Sequence, residues 1–160
     1  MPSSDAQNYV GAGVPELISE GFDLFIKVFN ETGAALTKGQ VVKVSFANST
    51  SGMYPQAVQP GTNSAVIHMM GVVANSKLGS SSIANLAWGL VQIQGYCPEI
   101  ATAGTVSTVD HQLVTTNTSY NATSSGATTE TTAGFAAAKS IVTGAGFVSG
   151  WIYGRFIAMT

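Results

Sequence analysis

From Phe22 onward apolar residues recur at every second position. "FDLFIKVFN" sets Phe22, Leu24, Ile26 and Val28 on one face and Asp23, Phe25, Lys27 and Phe29 on the other, which is the period of a strand. Both faces carry apolar groups, so this strand is expected to be covered on both sides. "NETG" then supplies turn residues, and "QVVKVSF" opposes Val42, Val44 and Phe46 to Val41, Lys43 and Ser45. "AVIHMMGVVAN" is strand-like and interrupted at Gly71. "WGLVQIQGYC" sets Leu90, Gln92 and Gln94 against Val91, Ile93 and Gly95. "GTVSTVDHQLVTT" reads as two short strands around a turn near Asp110, and "SIVTGAGFVSGWIYGRFIAMT" as two more. "ANSTSGMYPQ", "CPEIATAG" and "SYNATSSGATTETTAG" read as loops. About seven to nine short strands with turn signals roughly every 8–12 residues predict an all-β barrel or sandwich.

Helix signals are weak. "VPELISEG", "AGFAAAKS" and "SSSIANLAWG" are each consistent with a turn or two. Residues 1 to 22 lack alternation and read as an extended N-terminal arm, leaving 23–160 as the β-domain. Such arms order against a partner. Glycine opens a β-branched run at Gly39-Gln40-Val41-Val42, Gly89-Leu90-Val91-Gln92 and Gly104-Thr105-Val106. A glycine permits a tight entry before a strand. Lys38 precedes its glycine and strand residues follow, so "TKGQVV" lacks the order of a phosphate-binding loop.

Composition changes this picture in one respect. Only 9% of the 160 residues are charged and the formal net charge is -2, against about 25% charged residues in ordinary domains. Nothing points to nucleic acid bound through its phosphates. Charged residues are depleted at interface centres, and near-neutral chains self-associate. The chain therefore reads as a subunit of an assembly, with a secreted Ser/Thr-rich monomer as the weaker reading. The tract between Lys139 and Arg155 is only 15 residues long and holds four glycines. It falls short of the ~20 apolar residues of a membrane span. "MPSSDAQNYV" has no basic region followed by an apolar run, so neither a signal peptide nor secretion is expected.

Candidate chemistry is sparse. The single cysteine, Cys97, gives no disulfide framework or metal set and is expected to be a small buried side chain at a strand end. His68 lies in an apolar run. Asp110-His111 lies in a turn, and no G-x-S-x-G elbow accompanies it. No cofactor and no enzymatic activity are expected. A small hydrolase would require His111 beside a serine and a carboxylate in a cleft. Asn30, Asn48, Asn117 and Asn121 each fit Asn-x-Ser/Thr, which chance explains in so Ser/Thr-rich a chain. Trp88, Trp151 and Tyr153 are candidates for subunit contact, with a sugar-binding face as the alternative.

"IKVFNETGAALTKGQVVKV" resembles the opening of head decoration, or capsid cement, proteins of tailed bacteriophages. Pro55-Gln56-Ala57-Val58, Gly71-Val72-Val73, Trp88 to Gly95, Ala103 to Val106 with Asp110 and Leu113, and the closing "GRFIAM" are similar to that family's later motifs, in the same order. The arm and the segment "SKLGSSSIANLA" depart from its pattern. The resemblance implies a non-enzymatic virion protein on the outer capsid surface. It would bind the major capsid protein, form a homo-oligomer (a trimer by preference) and stabilise the expanded shell. In that reading Asp5, Tyr9, Glu16 and Leu17 of the arm face the capsid, Lys38 and Lys43 meet acidic groups of a neighbour, and neither nucleic acid nor membrane is a partner. A carbohydrate-binding or adhesive module is the alternative.

Overall fold

The computed structural model describes residues 17–47, 49–61, 69–73, 82–115, 119–129 and 134–154. These hold twelve strands and no helix: β1 (Leu17–Glu20), β2 (Asp23–Asn30), β3 (Leu36–Thr37), β4 (Val41–Ser45), β5 (Gln56–Val58), β6 (Met70–Val72), β7 (Ser82–Ile83), β8 (Trp88–Thr102), β9 (Gln112–Thr115), β10 (Ala122–Ser124), β11 (Ala136–Ala138) and β12 (Gly146–Tyr153). The all-β expectation holds, with more and shorter strands than alternation alone resolves.

Ten strands share one sheet, and that sheet closes on itself. β2, β5, β4, β6 and β8 follow one another in hydrogen-bonded order, and β8 returns to β2. This makes a five-stranded barrel, small enough for side chains to fill. Beyond β8 the order continues through β10, β9, β11 and β12, and β12 pairs back onto β8. The second ring repeats the connectivity of the first. In each, the first strand runs parallel to the third, as β2 does to β5 and β8 to β10. The second strand lies between the third and fourth, and the fifth closes antiparallel on the first. β8 is thus the last strand of one ring and the first of the next. This double duty is why it runs to 15 residues.

The patterning explains the two cores. Ile26, Val28, Val42, Val44, Ala57, Val91 and Ile93 fill the first barrel, which Leu36 and Ile83 of the small β3–β7 sheet cap. Phe25, Val41 and Val72 point the other way and join Ile100, Leu113, Ala136, Val148 and Ile152 in the second cluster. β2 and β4 are therefore apolar on both faces because each lies between two cores.

Five local readings are corrected. Leu17–Glu20 is not a helical turn but a strand paired antiparallel with β2. The sheet thus begins ahead of the expected boundary at Phe22. "AGFAAAKS" and "SSSIANLAWG" give β11 and β7 rather than helical turns. Alanine favours helices, but Ala136–Ala138 is buried between β9 and β12, and pairing overrides propensity. Ala122–Ser124 in the expected polar loop is β10. "CPEIAT" is the second half of β8, not a loop. Across from it the register steps from Val148 to Gly150 while β8 advances from Ile100 to Cys97. One extra residue of β8 therefore bulges out at Pro98–Glu99, where a proline's missing N–H does no harm.

Cys97 is accordingly mid-strand and fully buried. Burial pushes its thiol up to about 12, only partly offset by the S–H donated to the Glu99 carbonyl at 3.4 Å. Since the thiolate is the reactive form, native protein at pH 8 is expected to be silent towards a disulfide thiol reagent. It should release one equivalent only after denaturation; fast reaction of the native chain would contradict this burial.

Candidate functional site

Three of the exposed large apolar side chains share the outer face of the β8–β12 pair. Tyr96 of β8 and Trp151 of β12 are direct cross-strand partners, 47% and 41% exposed. Phe147, 48% exposed, follows on the same face of β12, opposite Ala101. Lys38, in the turn before β4, reaches over this face. Its ammonium lies 5.6 Å from the Phe147 ring centre, within cation–π range, and 3.0 Å from the Glu99 carboxylate. That pair is partly exposed and contributes on the order of 0–1 kcal/mol. Its effect is placement: it holds the Lys38–Gly39 turn against the β8 bulge. Gly39 has φ 78°, and a Cβ there would meet the Phe147 ring at 2.7 Å and the Ala101 nitrogen at 3.1 Å. "TKG" is therefore a junction between the two rings.

The other sequence-derived candidates disperse. Lys43 is half-buried in β4, between Val58 and Met70. Trp88 packs edge-on against Phe29, with centroids 5.3 Å apart. It precedes Tyr96 by eight residues of one strand, or roughly 27 Å at the strand rise, so Trp88 and Trp151 do not share a groove. Tyr153 is half-buried and its hydroxyl donates to Gln112 Oε1 at 2.5 Å. Trp151 and Tyr153 thus share one face of β12, while Trp88 is engaged with Phe29 at the other end of the first-barrel part of β8. Leu17 is an exposed residue of β1, while Asp5, Tyr9, Glu16 and His68 lie outside the described residues.

His111 does have a serine in reach, with Nδ1 2.8 Å from Ser124 Oγ. That oxygen also accepts the Gly126 N–H of a turn. Among the described residues no carboxylate bonds the imidazole, and the neighbouring Asp110 is tied to Lys139. The orienting group of a serine–histidine nucleophile is therefore not present among the described residues. Among the described residues no three His, Cys, Asp or Glu side chains gather to hold a metal ion.

A second place stands out at the carboxyl end of the first barrel's parallel pair. Glu31 follows β2, and its carboxylate accepts N–H groups of Ser51 at 2.8 Å and Thr50 at 3.2 Å, the Ser49 hydroxyl at 3.2 Å and the Gln56 amide. Desolvation raises its pKa, but the hydrogen bonds from Ser51, Gln56 and Thr50 outweigh this and leave it below the ordinary value. Stability from such a depressed carboxylate is complete above the unfolded pKa of about 4.3 and is lost as pH falls through the folded value. Amide exchange at Thr50 and Ser51 is therefore expected to accelerate, relative to Phe25, below about pH 4 and to be constant from pH 5 to 7. Loss of protection already at pH 6 would contradict the clasp.

No protein-family model matches the chain, and no curated protein does. A solved structure does. The head fiber gp8.5 N base of bacteriophage phi29 superposes with a TM-score of 0.52, over 86% of this chain and 99% of that one. Identity is 8%, so what the two chains share is the fold. The phi29 base covers nearly the whole tandem arrangement, which makes the likeness one of architecture rather than of a single barrel.

Proposed function

We propose that this chain is a non-enzymatic structural protein of a bacteriophage virion, carried on the outer surface of the head. The observation that supports it is the fold shared with a phage head-fibre base across essentially all of that base. The order of the phage-like motifs in the sequence agrees, as does the low ionic content. In this reading the subunit decorates the shell through the major capsid protein and cements it. Each bound subunit stabilises the assembly by RT ln(1 + [L]/Kd), and several contacts per oligomer add avidity. The N-terminal residues up to the start of β1, with Asp5, Tyr9, Glu16 and Leu17, are the capsid-facing part. Electron microscopy of native particles carrying a tagged copy tests it: label on the head exterior is expected, and label on the tail or on none of the particles would overturn it. Heads lacking the chain should also disrupt at lower temperature; equal resistance would remove cementing while leaving decoration.

Self-association, with a trimer preferred, uses the Trp151–Tyr96–Phe147 face. Aromatic anchors dominate interface energies, at roughly 2 kcal/mol or more each. Trp151→Glu is therefore expected to weaken association at least about thirtyfold in sedimentation, with unchanged β-sheet circular dichroism. An equally associated Trp151→Glu variant would move the interface elsewhere.

A further inference from the structure

The cleft beside Glu31 is a second feature, independent of where the chain resides. It measures about 290 Å³ and is lined by Glu31, Thr32, Thr50, Gln56, Gln59 and Tyr120 over a floor of Ala57 and Val58. It exists because β2 and β5 run parallel, with Asn30 beside Ala57. Residues following both strands, Glu31 and Gln59, line it at the same end. Tyr120, from the loop before β10, supplies the far wall, so the second ring completes a cleft on the first.

We infer that this cleft is a binding site for a neutral carbohydrate of one or two rings. The lining chemistry selects the class. Among the described residues its one charge is a carboxylate and no cation accompanies it, which disfavours phosphates and other anions. The carboxylate already accepts four protein donors, and calcium needs about six to eight oxygens, so a cation finds no shell. Hydroxyl and amide groups dominate the rim, which disfavours a purely apolar ligand. What remains is a ligand that both donates and accepts around a ring. Thr50 and Gln59 are exposed at the rim, and the Tyr120 ring offers an apolar wall of the kind sugar C–H faces pack on. The volume lies at the small end of ligand clefts, about 300 Å³. The Glu31 clasp fixes the 49–51 wall before any ligand arrives, lowering the ordering cost of binding.

The test titrates the whole chain with D-glucose, D-galactose, N-acetylglucosamine and maltose, followed by amide shifts. At least one sugar is expected to bind in the millimolar range and to move Thr32, Thr50, Gln59 and Tyr120. The exposed-site double variant Thr50→Ala/Gln59→Ala should retain the native spectrum and lose about tenfold in affinity. If none of the four sugars moves these amides, if binding survives the double variant, or if only calcium or inorganic phosphate shifts them, the assignment is wrong. Since no virion is involved, either result leaves the head-surface reading to its own experiment.

Discussion

Gly95→Ala is expected to destabilise the chain by about 3 kcal/mol or more. Gly95 is where β8 leaves the first barrel for the second, and two independent costs meet there. Its φ is 99°, outside what a Cβ-bearing residue adopts easily. A Cβ would also run into Asp23, meeting its Cα at 2.9 Å as well as its carboxylate. The closeness has a purpose, since Asp23 Oδ1 accepts the Tyr96 N–H at 2.9 Å and pins the crossing point. Neither partner can retreat: Leu24 pairs with Gln94, and Trp151 with Tyr96. At about 2–4 °C per kcal/mol for a chain of this size, the melting temperature should fall by roughly 10 °C. An Asp23→Ala background removes the carboxylate clash but not the backbone one. The double variant should therefore be more stable than the sum of the single effects, though still below Asp23→Ala alone. A loss under 1 kcal/mol in the single variant would mean that β8 does not cross here in the way described.

That crossing also marks the limit of what the linear pattern discloses. The alternation of "FDLFIKVFN", "QVVKV" and "WGLVQIQG" is visible because each strand faces a core on fixed sides, and it gave the fold class. The doubling of the barrel is not visible, because its two halves share a topology and no repeated motif of length. β11 is three alanines and β10 is "ATS", sequences with no period to detect. The bulge at Pro98–Glu99 hides in the same way. A proline after a cysteine reads as a strand end, and only the partner's register, Gly150 opposite Cys97, shows the strand continuing. Lys38 is legible as the residue before a tight glycine turn, expected to meet a neighbour's acidic group, but the structure pairs it with Glu99, far along the same chain. The Tyr96–Trp151 part of the face is not legible because it depends on which residues of β8 and β12, far apart in sequence, are paired. Glu31 reads in sequence only as one residue of a turn, and nothing nearby announces that it collects donors from a loop some twenty residues on.

Asn30→Asp, an exchange of one amide nitrogen for oxygen, is expected to cost about 3–5 kcal/mol at pH 7. Asn30 closes β2 and is fully buried. Its Nδ2 donates to the carbonyls of Ala34 at 2.8 Å, Ile83 at 2.9 Å and Ala84 at 3.1 Å. Its Oδ1 accepts the Thr32 N–H at 3.1 Å and hydroxyl at 2.7 Å. One side chain thus binds the turn after β2 to the β7–β8 loop, the lid over the first barrel. The same engagement bars glycan attachment in the folded chain, although Asn30 lies in an acceptor sequence. Aspartate keeps the acceptor but turns a second oxygen, with charge, onto three carbonyls. Burial and those carbonyls favour the protonated acid, so the variant's folded pKa rises above the unfolded value of about 3.9. The sign then follows: the penalty is full above the raised folded pKa and shrinks as pH falls towards the unfolded one. Urea unfolding of variant and parent at pH 7 and pH 4.5 should show the gap narrowing at the lower pH. Referring each value to the parent at the same pH removes the parent's own acid response. A gap that stays constant or widens on acidification would mean that the side chain at position 30 does not face the carbonyls of Ala34, Ile83 and Ala84.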